Sequence, residues 1–361
     1  MKVALVYDRV NKWGGAERVM LALHQLFPDA PLFTSVYNPE TAGWADDIKV
    51  IPSFLQHAPF AKKAHELYPV LMPIAFESFS FDEFDLVISV TSEAAKGIIT
   101  KPQTRHICYC LTPTRYLWSG YKEYFSQKFI KILSYPAVSY LRSWDKVSCT
   151  RPDAYIAISN EVKERIKKYY HSDSEIIHPP VSLFEGVSEV EKNKKEGEYY
   201  LVVSRLVPYK RVDLAIKACN KMRKKLIIIG KGSEEKYLRS IAGPTITFIG
   251  YVSDDVLRQY YVSAKALLFP GLEDFGITMV EALGFGIPVI AYNKGGAKDI
   301  IQNKKTGILF DRQSRESLSE AILLSEKIKF SSIELQKHAY TFSQEIFKRR
   351  MTEYIANVFA K

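Results

Sequence analysis

Short apolar runs alternate along the whole chain with longer stretches whose apolar residues recur every three or four positions. The runs read as buried strands and the stretches between them as amphipathic helices. KVALVY opens as a strand, and DRVNKWGGAERVMLALHQLF turns from it into a helix. PLFTSVY is the next strand, followed by a helical region from about Ser53 to Phe76. FDLVISV is a strand ending at Thr91-Ser92, and HICYCLTP is another, closed by Pro113, which biases Thr112 away from helix. The stretch from Tyr116 to Tyr140 reads as helix and DAYIAIS as strand, with Ser159-Asn160 capping the basic helix EVKERIKKYY.

A linker is expected between His178-Pro179-Pro180 and about Gly197, where VEKNKKEGE is charged and unpatterned. A second series follows: strand YYLVVSRL, helix VDLAIKACNKM, strand KLIIIG, a helix, strand ITFIGYV and another helix. Leu267-Leu268-Phe269 is a strand, a helix starts near Gly276, and PVIAY resumes as strand after Gly284 and Gly286. NKGGAKDIIQNKKTGILF adds a glycine turn, a helix and a strand, and SLSEAILLSEKI and SQEIFKRRMTEYIANVF close the chain as helices. Strands alternating with helices predict an α/β protein with parallel, doubly wound sheets. The expected division is two α/β halves on either side of this linker, residues 1–180 and 181–345, followed by a last helical stretch, residues 346–361.

Composition narrows the class. At 361 residues two domains are the natural count, and 47% hydrophobic with 25% charged residues are globular values. Lys2 is followed at once by the strand-like VALVY, so no signal peptide is expected, and no apolar run reaches the ~20 residues needed to cross a bilayer. Four scattered cysteines (Cys108, Cys110, Cys149, Cys219) do not make a disulfide framework; Cys108 and Cys110 share one face of a strand and fit buried packing better than a metal site. The expected compartment is cytoplasmic. A net charge of +10 implies an anionic partner. Phosphates in a cleft and an acidic membrane surface rank ahead of nucleic acid, because no zinc-finger spacing, recognition helix or aromatic RNA-binding motif is present.

The densest chemistry lies from Leu267 to Tyr292, LLFPGLEDFGITMVEALGFGIPVIAY. Glu273 and Glu281 would stand ~12 Å apart along an unbroken helix. They fit opposite ends of an extended ligand, with a helix N-terminus between them facing an anion. A nucleotide-sugar has that layout; two solvated acids around an ordinary strand–helix junction is the plainer reading. VVSRLVPYKRVD is the second local signal. Arg205 follows a buried strand, and Lys210 and Arg211 sit at a helix start, where the dipole disfavours cations unless an anion is bound. Two cations and a helix N-terminus can neutralise a diphosphate without a metal. Gly14-Gly15 lets the backbone approach a ligand, though the G-x-G-x-x-G dinucleotide spacing is absent and a simple tight turn is the alternative.

EDFGITMVEALGFGIPVIA with SRLVPYK, the N-terminal GGAE and the central PPV resembles the retaining, nucleotide-sugar-dependent glycosyltransferases of the GT-B fold, glycosyltransferase family 4. FLQHAPFAKKAHELYPVLMPIAFESF, FDLVISVTSEAAKG, HICYCLTPTRYLW and SWDKVS extend the likeness to the bacterial subgroup that builds surface polysaccharides, many of them described as mannosyltransferases. The resemblance implies that Glu273 holds the hydroxyls of the transferred sugar and Glu281 the ribose. Arg205 and Lys210 would take the diphosphate. Asp274, Phe275, Gly276, Ile277 and Thr278 would support phosphates and sugar, with backbone N–H groups contributed from Phe275 to Thr278. Gly14 and Gly15 would close on donor or acceptor, and Tyr251-Val252 would meet the base. It also implies two Rossmann-like domains facing across a cleft, residues 1–180 binding the acceptor and 181–345 the nucleotide-sugar, with 346–361 a helix crossing back to the first; no metal and no cofactor are implied. One departure stands out: the related motif often reads C-H-T-P, whereas this chain has Leu111 in Cys110-Leu111-Thr112-Pro113. Either no base is needed there, or Asp8, Thr112 or Arg115 faces the sugar. His106 and His178 read as structural.

The resulting expectation is transfer of a hexose, mannose from GDP-mannose, with retention, to a glycan or lipid-linked oligosaccharide. FAKKAHELY and YKEYFSQKFIKILSY mix lysines with aromatics, which suits either an anionic membrane at the inner face of the cell membrane or packed helices with solvated lysines. The rivals are a nucleotide-sugar 2-epimerase and a non-catalytic sugar-nucleotide or glycan-binding subunit.

Overall fold

The apolar runs become strands, the central ones buried on both faces, with short edge strands beside them. In the first set these are β1 (Val3–Tyr7), β2 (Leu32–Thr34), β3 (Val50–Pro52), β4 (Leu86–Thr91), β5 (Arg105–Cys110), β6 (Ala154–Ala157) and β7 (Glu175–Ile176). They pair in parallel in the order β3-β2-β1-β4-β5-β6-β7. Every residue of β1 and β4 is buried, as parallel sheets flanked by helices require. The helices of this set are α1 (Gly15–Leu26), α2 (Met72–Glu77), α3 (Tyr121–Tyr124), α4 (Lys128–Ser148) and α5 (Asn160–Tyr170). The computed structural model describes residues 1–125, 127–184 and 197–360, so most of the charged run expected as the linker lies outside the described residues.

The second set of strands is β8 (Tyr199–Val203), β9 (Leu226–Ile229), β10 (Ile246–Gly250), β11 (Ala264–Phe269), β12 (Val289–Tyr292) and β13 (Gly307–Phe310), again all parallel, in the order β10-β9-β8-β11-β12-β13. Its helices are α6 (Val212–Met222), α7 (Glu235–Ser240), α8 (Asp254–Ser263), α9 (Ile277–Gly284), α10 (Ala297–Ile300), α11 (Arg315–Ser325) and α12 (Ser332–Tyr340), before α13 (Gln344–Phe359) ends the chain. Two compact units result: residues 1–179 with 347–361, and residues 180–346. Within the first unit, α13 packs the Phe347 ring 5.9 Å from Tyr109 and donates from the Tyr354 hydroxyl to the Tyr155 carbonyl at 3.2 Å. Each unit has its own core, around Val6, Phe33, Phe76 and Val87 in one and Tyr200, Ile228, Leu268 and Ile290 in the other. Strand order reverses between β1 and β4 and again between β8 and β11. Ligands of such sheets bind beyond the C-terminal strand ends at these reversals.

Several local expectations are corrected. The helical region from Ser53 to Phe76 is broken into 3-10 turns at Phe54–His57 and His65–Leu67 and the short α2. Pro59, Pro69 and Pro73 remove helix donors, and Phe60 sits at a φ of 60°. PLFTSVY contributes only the three residues of β2; beyond them Tyr37 keeps a single parallel bridge with Val10, and the Ser35 hydroxyl donates to the Asp8 carbonyl at 2.5 Å. The edge strands β3 and β7 were hidden in polar or proline-bearing sequence, where an edge tolerates both. The helix expected over Tyr116 to Tyr140 begins later and runs on to Ser148, carrying Pro136 inside it. Ser159 caps α5 as expected, its hydroxyl accepting from the Val162 amide at 3.2 Å. Cys108 and Cys110 are buried thiols.

Candidate active site

Beyond the end of β8, the chain turns at Ser204-Arg205 and enters the 3-10 turn Pro208–Lys210. The exposed Arg205 donates from Nη2 to the Tyr209 hydroxyl at 2.9 Å. Lys210 reaches back to the loop after β11, where its Nζ forms an ion pair with Glu273 Oε1. The two side chains are 14% and 21% exposed, so the pair is covered on one side and open on the other. Arg211 behaves differently: at a φ of 51° it turns to Asp213, Nε to Oδ1 at 3.0 Å. The sequence groups Lys210 with Arg211, but only Lys210 joins Glu273.

Glycines let these loops touch. A Cβ on Gly271 would lie 2.9 Å from the Lys210 Cα. The turn after β12 supports the acid directly, since the Gly296 amide donates to the Glu273 carbonyl at 2.9 Å. Gly295, at a φ of 64°, would place a Cβ 2.2 Å from that same oxygen. On the other flank, a Cβ on Gly230, at a φ of 134°, would meet the Ser204 carbonyl at 1.9 Å. Loops after four strands are therefore stacked backbone to backbone. The sequence showed NKGG only as an ordinary turn; its position just past a buried strand was the available signal.

Asp274 is half-buried, and Phe275 is buried with its ring 5.8 Å from Phe342, leaving its main chain as the part beside the turn. Gly276 caps α9 at a φ of 103° with no side-chain cap, so Ile277 and Thr278 lead a helix whose first amides have no intrahelical partner. Glu281, about one turn on, is only 2% exposed, and its Oε2 accepts from the Tyr261 hydroxyl at 2.9 Å. The Tyr261 ring stacks on Phe285 with centroids 5.2 Å apart. The two glutamates thus differ sharply: Glu273 opens onto the strand ends and Glu281 is held under α8. Tyr251 follows Gly250 and is 77% exposed, with Val252 half-buried beside it.

In the first unit the candidate residues are more often structural. Asp8 is corrected as a group facing a sugar. It is 2% exposed and accepts from the amides of Ser92, Glu93, Ala94 and Ala95 at 2.7–3.1 Å and from the Thr91 hydroxyl at 2.8 Å. A carboxylate committed to this many donors holds the turn after β4 and has little room left to meet a ligand. Thr112 is also covered, its hydroxyl accepting from Arg165 Nη1 at 3.1 Å. Leu111 is half-buried, and its amide donates to the Thr91 carbonyl at 2.8 Å. Arg115 is half-buried, and its carbonyl accepts from the Gly120 amide at 2.8 Å. Gly14 precedes α1 in extended conformation, and Gly15 is the first residue of that helix. His178 binds the Ile158 carbonyl at 2.9 Å, and His106 is fully buried with Nε2 2.8 Å from the Ser89 hydroxyl. Burial, and then the Arg151 charge, push His106 down to about 3, so it is neutral.

Two charge pairs of this unit went unread in the sequence. Lys96 and Asp145, 1% and 0% exposed, meet at 2.5 Å, and Asp145 also accepts from Trp118 Nε1 at 2.7 Å. Arg9 Nη1 and Glu93 Oε1 meet at 2.7 Å beyond β1 and β4. Among the described residues no cluster of His, Cys, Asp and Glu could hold a metal ion.

Two parallel sheets, with an acid and a lysine joined at the strand-order reversal of the second, define the GT-B class of fold. Residues 185–342 match the family of glycosyl transferases group 1. A GDP-mannose-dependent alpha-(1-6)-phosphatidylinositol monomannoside mannosyltransferase of Mycobacterium tuberculosis is 33% identical over 155 residues, 37% of this chain and 40% of that enzyme. A GDP-mannose-dependent alpha-mannosyltransferase of Mycolicibacterium smegmatis is 34% identical over 110 residues, 30% of this chain and 29% of that enzyme. The chain thus spans well under half the length of these curated relatives. Anabaena HepE, solved in complex with UDP, superposes with a TM-score of 0.72 at 18% identity, covering 99% of this chain and all of that one. The second unit thus matches the glycosyl transferases group 1 family over residues 185–342, and the chain as a whole has the GT-B fold.

Proposed function

We propose that the protein transfers a hexose, mannose from GDP-mannose, to a glycan or lipid-linked oligosaccharide with retention of anomeric configuration. The observation that carries this reading is the Lys210–Glu273 pair beyond β8 and β11. Glu273 accepts hydrogen bonds from the hydroxyls of the transferred sugar. Lys210, with Arg205, neutralises the diphosphate as the glycosidic C–O bond breaks, and the leading amides of α9 support the same charge. Glu281 meets the ribose and Tyr251-Val252 the base. The acceptor oxygen attacks from the face the leaving group departs, and its proton passes to the departing phosphate oxygen. That route asks nothing of the side chain at Leu111 and needs no metal.

Mannose and guanosine are supported by the mycobacterial relatives, both GDP-mannose-dependent mannosyltransferases. A lipid-linked acceptor is supported by the surface of the first unit. Phe129, Ile132, Leu133 and Tyr135 on α4 are 63–75% exposed around Lys131, a pairing of apolar and basic groups suited to an anionic bilayer at the cytoplasmic face. Co-sedimentation with phosphatidylglycerol vesicles should fall when Phe129 and Leu133 are changed to Ser, and equal binding would remove that part of the reading.

A donor panel tests the core of it. GDP-mannose should be consumed and should raise Tm more than UDP-glucose or UDP-GlcNAc do; saturating ligand at ~100 times Kd is worth about 2.7 kcal/mol. If no sugar nucleotide raises Tm or is consumed, the reading fails. Release of an epimerised sugar without acceptor use would indicate the epimerase instead.

A further inference from the structure

Glu281 is the one charged residue of α9, and Met279, Val280, Ala282 and Leu283 around it are apolar and buried. A carboxylate in such company costs stability unless something hydrogen-bonds it. The Tyr261 hydroxyl does so, donating to Oε2 at 2.9 Å from the last turn of α8. Tyr261 is itself 0% exposed, and its ring lies flat on Phe285, with 8° between the planes. Phe285 stands at the C-terminal end of α9, its amide donating to the Glu281 carbonyl at 3.0 Å. The tyrosine is therefore held at both ends, by its ring and by its hydroxyl.

Packing alone does not account for the pair. Phenylalanine at position 261 would make the same stack, and an apolar residue at 281 would remove the buried charge. Replacing both partners of a buried hydrogen bond by apolar groups of similar shape is often close to neutral for stability. What the polar pair adds is direction. Helix α8 starts just past Tyr251-Val252 and ends just past Tyr261. A helical side chain leans toward the N-terminal end of its helix, here the end next to Tyr251-Val252. One helix thus joins the residues read as meeting the base to the acid read as meeting the ribose.

We propose that Tyr261 is a positioning residue for nucleoside recognition: it holds the Glu281 carboxylate in the plane that accepts from the ribose 2′- and 3′-hydroxyls, without touching the ligand itself.

The inference rests on the reading of Glu281 as the ribose contact and adds the group that sets its direction. A carboxylate fixed in one plane can accept from two neighbouring hydroxyls at once, and one left to turn loses that match. With 2% of Glu281 exposed, a small rotation withdraws it from a ligand altogether.

The ribose hydroxyls supply the readout, because a loosened core would weaken every nucleotide alike. The full-length chain would be titrated by calorimetry with GDP and its 2′,3′-dideoxy form, and in parallel with UDP and its 2′,3′-dideoxy form. For the base that binds, the wild type should hold the ribose form about tenfold or more tighter than the dideoxy form, the scale of one hydrogen bond to a charged group. Tyr261→Phe should weaken the ribose form and leave the dideoxy form as it was, narrowing the ratio to about threefold or less. Glu281→Leu should narrow it as well, and adding Tyr261→Phe to Glu281→Leu should narrow it no further, since the two act in series. If Tyr261→Phe lowers Tm, the ratio still decides, because a general loss of affinity divides out of it. The proposal is overturned if the wild type does not discriminate the two forms, if the Tyr261 variant keeps the wild-type ratio, or if it weakens both forms equally. A wild type that binds no nucleotide overturns the donor reading and this inference together; nucleotide binding with an unchanged ratio overturns this inference alone.

Discussion

Lys210 Nζ rests on Glu273 Oε1, joining the loop after β8 to the loop after β11 at the point where the strand order of the second sheet reverses. The contact is partly open to solvent, so its value to folding is small, about 0–1 kcal/mol. Its value to chemistry is larger. In the proposed reaction, an ammonium and a carboxylate held in register would set a cation for the diphosphate next to an acid for the sugar hydroxyls before any ligand arrives. Glu273→Gln and Lys210→Ala should each lower kcat by roughly 100-fold or more, at the scale of losing one oriented charge, while Tm changes by only a few degrees. Initial-rate assays with GDP-mannose, paired with thermal melts, check this; unchanged turnover in folded variants would remove both residues from the site.

The glycine turn behind Glu273 should be as sensitive as the acid itself. A methyl on Gly295 meets the Glu273 carbonyl at 2.2 Å and is strained at a φ of 64°. Gly295→Ala should therefore push the Glu273 main chain outward, costing roughly 1–3 kcal/mol of stability and at least tenfold in turnover. Donor KM and kcat would be measured beside urea unfolding. Wild-type kinetics would mean that the turn does not position the acid.

Asp8 should act on stability before it acts on rate. Its carboxylate satisfies four main-chain amides and the Thr91 hydroxyl from a position 2% exposed. Asp8→Ala should cost about 3–5 kcal/mol by leaving buried donors without partners. Asp8→Asn should cost less but still destabilise, because its NH2 group would face N–H donors. Urea midpoints at neutral pH give the answer. A variant that folds as well as the wild type but loses turnover would restore Asp8 to the catalytic machinery.

Buried His106 gives the first unit an acid limit. Its folded pKa is depressed to about 3, from 6.5, chiefly by burial, so the folded chain excludes a proton that the unfolded chain binds. The stability it permits is present in full above pH 6.5 and is lost as pH falls from there towards 3, at about 1.4 kcal/mol per pH unit in that window. His106→Gln should fold with a flatter pH dependence between 6.5 and 4. Urea unfolding of both proteins at half-unit steps is the check, and parallel curves would show that another group sets the limit.

Local pattern was enough for the central strands and for the charged residues that stand beside their ends. β1, β4, β8, β11 and β12 are continuous apolar runs, and such runs have few options other than the interior of a parallel sheet. The hydroxyl of Ser159 before EVKERIKKYY marked a helix start, because capping involves only the three residues that follow. Glu273, Arg205 and Lys210 were visible because each lies within a few residues of a strand end.

Hidden from the sequence were features whose partners lie far along the chain. Asp8 binds amides more than eighty positions on, Lys96 is neutralised by Asp145, and Gly295 supports Glu273 from a different strand end. Proline spacing could have argued against a helix over Ser53 to Phe76, but the short edge strand β3 gains its stability only by pairing with β2. Residue order alone therefore determined the long buried strands, the capped start of α5 and which charged residues stand at strand ends. Tertiary packing decided which of those charges meet, which carboxylate is open and which is saturated, because pairing and desolvation depend on distances through space that residue order does not encode.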